Sequence, residues 1–103
     1  MFDIEEFRQN PAVKKQAKSA QERLEERIIG LGLLPKGEEG VVEYLGRFGK
    51  NISAAKCAAI AVACANKAEN TPALCGQTEE ESKKSLLVFT NRFAELANSI
   101  GGL

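Results

Sequence analysis

The stretch Ala54-Ala55-Lys56-Cys57-Ala58-Ala59-Ile60-Ala61-Val62-Ala63-Cys64-Ala65-Asn66-Lys67-Ala68 decides the fold. It holds eight alanines, and its nine residues from Cys57 to Ala65 carry no polar side chain. A helix that is apolar all round sits inside a molecule rather than on its surface. This run is too short to cross a bilayer, which takes about 20 apolar residues. Small side chains also let neighbouring helices approach toward the short end of the usual axial spacing of about 8–10 Å. The reading is a central helix over about 52–68, capped by Asn51 or Ser53 and shielded from water on every side.

The flanking sequence supplies helices to surround it. Residues 3–9 predict a short helix or turn, with Asp3 as N-cap and Glu6 three residues on. Asn10-Pro11 restarts the chain, because proline suits the first helical position and asparagine the cap before it. From 11 to 29, Val13, Ala17, Ala20, Leu24 and Ile28 fall on one helical stripe. Gly30 and Gly32 are expected to end that helix, Gly30 as the left-handed residue after it. Leu33-Leu34 should seal one end of the core.

A second helix is expected over 38–48, with Glu38 and Glu39 at its positive end and Val41, Leu45 and Phe48 facing inward. Gly40 and Gly46 should weaken it by up to about 1 kcal/mol each. Pro72 and Gly76 mark the next connection. Thr78 and Glu81 then form a capping box that opens a helix over 79–99. Leu86, Phe93 and Ile100 repeat every seven residues there, as do Phe89, Leu96 and Leu103. Two heptads fall short of a free coiled coil and fit a helix laid along an antiparallel bundle. The expected fold is all-α: a compact bundle of four principal helices (about 11–29, 38–48, 52–68 and 79–99) with a short N-terminal helix or turn (3–9), forming one domain over 1–103.

Composition narrows the function mainly by exclusion. The chain has 103 residues, with 14 basic side chains balancing 14 acidic ones and no histidine. A neutral total gives no field to draw the molecule to nucleic acid or an anionic membrane. Without histidine, Ser-His-Asp and Cys-His catalysis, histidine-rich metal sites and phosphohistidine relay are excluded within the chain. The paired glutamates, such as Glu25-Glu26 and Glu79-Glu80-Glu81, sit where solvent should reach them, so none reads as a general acid or base. No Walker-type loop, carboxylate-rich calcium loop or nucleophile elbow is present. The expectation is a protein that is not an enzyme and uses neither cofactor nor metal.

The acidic start, Met1 to Phe7, is unlike a secretory signal, and cytoplasmic residence is expected. Three cysteines cannot close a disulfide framework among themselves. Cys57 and Cys64 are two helical turns apart, about 10 Å along the axis, beyond the roughly 7 Å limit for a disulfide. They read as buried apolar thiols, with a redox or metal role as the alternative.

Two segments are candidate partner-binding surfaces. Phe2, Ile4 and Phe7 form either a docking peptide or a flap over the open end of the bundle. Lys14, Lys15 and Lys18 lie near the positive end of their helix, which the macrodipole disfavours. They are either ordinary surface charge, compensated by Lys18–Glu22 pairing, or a basic patch for an acidic partner. The leading reading is a small cytosolic protein–protein interaction module (regulator, inhibitor, chaperone or adaptor) acting by surface occupation without catalysis. Its partner is another protein, or a second copy across a two-fold axis, and no membrane is involved. The alternative is a nucleic-acid-binding regulator using a helix-turn-helix-like segment, 44–59, with Arg47, Lys50, Asn51, Ser53 and Lys56 at the junction. Its second helix turns wholly apolar after Lys56, and Glu38, Glu39 and Glu43 flank it, so nucleic acid ranks behind protein. A small-ligand binder ranks third, since alanine-rich packing leaves little room for a pocket.

Overall fold

In the computed structural model, which describes residues 3–70, 73–101 and 103, the central segment is a helix, α4 (Ala54–Glu69). Ser53 caps it by accepting the Lys56 N–H at 3.2 Å. The helix begins two residues later than expected because Asn51 adopts a left-handed conformation (φ 66°) that no helix continues. Cys57 through Ala61, Ala63 and Cys64 are buried in the core. Burial is not complete all round: Ala55, Val62 and Ala65 are only half-buried, so α4 keeps one open edge.

The other helices pack around it. α1 (Ile4–Gln9) is capped by Asp3, whose carboxylate accepts the Glu6 N–H at 2.9 Å. α2 (Pro11–Arg23) is capped by the Asn10 side chain, which takes the N–H groups of Ala12 and Val13. α2 runs on into a π-helical segment, Leu24–Ile29, and then a 3₁₀ turn at Leu34–Lys36. α3 (Glu38–Phe48) and α5 (Glu79–Ile100) complete the bundle. No strand occurs among the described residues. The four principal helices and the short N-terminal one are those expected. The radius of gyration, 12.4 Å, is close to the roughly 13 Å of a compact chain this long.

Three local expectations need correction. Gly30 does not take the left-handed position after the helix expected over 11–29; its φ is −62°. Gly32 takes it instead, with φ 69°. The Gly32 N–H donates to Ile29 O and the Leu33 N–H to Ile28 O, both at 3.0 Å, which is a Schellman closure. The π-helical turn postpones the end of the helix, and closure there brings Leu33 back onto Ile28, both buried.

Ala17 is exposed although it shares the stripe of Val13, Ala20, Leu24 and Ile28. On α5, Ile100 is 50% exposed and Leu96 only half-buried, while Ser82, Leu86, Phe89, Thr90, Phe93 and Ala97 face inward. A straight helix turns 3.6 residues per turn, so a seven-residue repeat drifts by about 20° per heptad and leaves the buried face. The two hydroxyls that drift inward are satisfied: Thr90 donates to Leu86 O, and Ser82 binds both the N–H and the carbonyl of Leu74.

Tyr44 is a further departure. It is fully buried, stacked edge-on against Phe93 with ring centroids 5.7 Å apart. Its hydroxyl accepts from Arg23 at 3.3 Å, and Arg27 lies over the Phe48 ring. α3 is therefore held by Gly40, Val41 and Tyr44, with Leu45 and Phe48 at the margin.

Candidate interaction surfaces

The reactive groups are mostly locked away. Cys57 and Cys64 are buried free thiols, and burial pushes Cys57 up to about 11 and Cys64 higher still. Neither is a thiolate at neutral pH, so neither is a ready nucleophile. Cys75 is half-buried, its thiol also raised by burial, and it donates to Ile29 O at 3.5 Å. Among the described residues no group of three or more acidic or thiol side chains gathers as a metal site. No helix among them is long and apolar enough to cross a membrane.

What remains open is surface between helices. A groove of about 300 Å³ runs between α3 and α5. Val41, Val42, Leu45 and Leu96 supply its apolar lining, and Glu38, Arg92, Glu95 and Ser99 its polar edge. On its α3 side only Val41 is buried, while Leu45 is half-buried and Val42 exposed. The Arg92 guanidinium pins the edge, donating to Glu38 at 3.0 Å across the groove and to Glu95 at 3.2 Å along α5. Val42 is 70% exposed beside it.

The sequence reading missed this groove. Its one advance signal was Val42, an apolar residue off the inward stripe of an otherwise polar helical face.

A second groove, about 260 Å³, lies between α2 and α4 and is closed at one side by Arg8 of α1. Val13, Ala17, Ala59, Val62 and Ala63 line it, with Lys14, Gln21 and Asn66 at the rim. Its width follows from the small side chains: the exposed Ala17 of α2 faces the open edge of α4. Arg8 is tied to Glu5 at 2.6 Å, Asn66 at 3.0 Å and Glu69 at 3.4 Å. Its Nε–H is buried without an acceptor among the described residues. Beyond it, Lys67 of α4 and Glu25 of the π-helical segment meet at 2.7 Å.

The expected site residues divide accordingly. Lys14, Lys15 and Lys18 are all exposed, and none pairs with a carboxylate among the described residues. The compensating Lys18–Glu22 pair is not formed.

Phe7 is fully buried and Ile4 packs half-buried against the core, so this part of the segment closes the bundle and offers no free docking peptide. Phe2 lies outside the described residues.

Of the helix-turn-helix candidates, Arg47 pairs with Glu43 at 3.1 Å, Ser53 is spent as the α4 cap, and Lys56 is half-buried. Lys50 and Asn51 are exposed. The would-be recognition helix is α4, flanked by α1, α2 and α5. The edge of α4 left open carries Ala55, Val62 and Ala65, which offer no side-chain donor or acceptor to the base edges of a major groove about 12 Å wide.

Comparison with known protein families, curated proteins and solved structures finds no match to this chain.

Proposed function

We propose that this chain is a cytoplasmic, non-catalytic protein–protein interaction module that acts by occupying a partner's surface. The observation that carries the reading is the α3–α5 groove: a bundle that buries most of its apolar side chains leaves Val42 70% exposed next to Val41, Leu45 and Leu96. An apolar strip with a charged edge is the anatomy of a protein contact, in which the floor excludes water and the rim sets register. The Glu38–Arg92–Glu95 relay adds fixed donors and acceptors along that rim. Catalysis has no support from the buried thiols, or from the glutamates, which are exposed apart from Glu25 and Glu43, both half-buried in ion pairs.

The test is substitution of Val42 by Glu. At so exposed a position the change in stability should stay within about 0.5 kcal/mol. Capture from native lysate by the parent chain, but not by V42E, is the expected result. A partner retained equally by both chains would overturn the assignment of this face. Light scattering decides whether the partner is a second copy: a mass twice 11.1 kDa that V42E abolishes assigns the groove to a homodimer.

A further inference from the structure

We propose that the groove between α2 and α4 is a second docking site, which takes an acidic segment of a partner protein and seats one of its aliphatic side chains. The proposal goes beyond the α3–α5 reading and shares with it only the premise that the chain works by binding proteins.

The chemistry of the occupant follows from the two halves of the site. The floor, Val13, Ala17, Ala59, Val62 and Ala63, is apolar and has room for an aliphatic side chain or two. The outer edge is α2, where Lys14 lines the groove and Lys18 stands one helical turn further along. Lys15 lies between them in sequence but about 100° round the helix from Lys14, and it does not line the groove. All are exposed and have no carboxylate partner among the described residues.

Other cations nearby are already neutralised, Arg8 by Glu5 and Glu69 and Lys67 by Glu25. The first turn of α2 carries no acidic residue, so Lys14, at the end of that turn, also faces the positive end of the helix dipole uncompensated. Carboxylates from outside relieve both repulsions together. An apolar floor beside a cationic edge fits an acidic amphipathic segment better than a phosphate backbone, which has no side chain for the floor. The acidic residues Glu22, Glu25 and Glu26 further along also cut a basic track short.

The experiment titrates labelled helical peptides into the full chain by fluorescence anisotropy, with backbone amide spectra to locate the contact. One peptide carries leucines at i and i+4 flanked by glutamates, a second has lysines in place of the glutamates, and a third probe is duplex DNA. Saturable binding of the acidic peptide is expected, weakening as salt is raised, with amide shifts at Ala17, Ala59 and Ala63. Combined charge reversal of Lys14, Lys15 and Lys18 to Glu should weaken it by about tenfold or more, since opposed charges at an interface govern partner choice.

Ala17→Leu fills the groove at an exposed position without altering charge, and it should weaken binding by a similar factor. V42E should bind the acidic peptide unchanged, so this site and the α3–α5 face fail separately. Absence of saturable binding, equal binding of the basic peptide, or shifts confined to α3 and α5 overturn the proposal. DNA binding with shifts at the same lysines overturns it too, in favour of nucleic acid.

Discussion

At the N-terminus of α5, Thr78 and Glu81 exchange two hydrogen bonds, the Thr78 N–H to the Glu81 carboxylate at 3.0 Å and the Glu81 N–H to the Thr78 hydroxyl at 3.1 Å. These bonds, the backbone one foremost, hold the Glu81 carboxyl below its ordinary value, with Lys84 adding a smaller pull. A carboxyl whose pKa is lower folded than unfolded favours the folded state above its unfolded value of about 4.3. That contribution is lost as the pH falls through the folded value. Glu81→Gln should therefore lower the melting temperature at pH 7, and the gap to the parent should close on acidification. Paired thermal melts across that range check it, and a gap that is constant with pH would show that the charge plays no part.

Residue-scale features of this kind were largely legible beforehand. Asp3, Asn10, Ser53 and Thr78 all cap the helices that follow them, because capping depends on chain neighbours alone. Gly30 misled because a left-handed closure depends on where the next leucine must go, and Leu33 had to return to Ile28.

At the scale of one element, α3 puts two glycines to opposite uses. Gly46 faces open space, whereas a Cβ on Gly40 would run into Leu33 O and lie 2.9 Å from Cζ of Phe89. Gly46→Ala should stabilise the protein by about 0.5–1 kcal/mol through backbone entropy and helix propensity. Gly40→Ala gains the same propensity but overpacks a closed contact, which costs about 1–3 kcal/mol, so the net effect is destabilising. Chemical denaturation of the two variants checks the pair, and shifts of the same sign would contradict the packing described.

Sequence periodicity treated both glycines alike, as flaws in a weak helix. It located α3 without finding the residue that anchors it, since nothing local distinguishes a buried Tyr44 from an exposed one. On α5 the heptads gave the helix and the first part of its buried face, Leu86, Phe89 and Phe93, but not its C-terminal part, which follows the 3.6-residue turn to Ala97 and leaves Ile100 half-exposed.

For the molecule as a whole, the open question on paper was whether residues 2–7 cover the core or reach for a partner. The lysines of α2 could be read as a candidate surface from charge order alone. The groove beside them could not, because it depends on which helix α2 crosses. The α3–α5 groove was likewise invisible before the helices were placed. Phe7 shows the same dependence: an aromatic in an amphipathic segment reads equally well as anchor or as plug.

In the fold it is a plug, fully buried, with α1 lying on α2 and α4 and Arg8 tying the element to Asn66 and Glu69. Phe7→Ala removes a ring that no neighbour can replace, so it should cost about 3–5 kcal/mol. That is a large share of the roughly 5–15 kcal/mol that holds a domain of this size together. Each kcal/mol moves the melting temperature of such a domain by about 4–8 °C, so the melt should fall by well over 10 °C. A loss below about 1 kcal/mol, the range of ordinary surface changes, would mean that α1 is not part of the closed core in solution. The segment would then be free to dock elsewhere. Because Phe7 lines neither groove, a destabilised F7A that still folds at low temperature should retain binding at both.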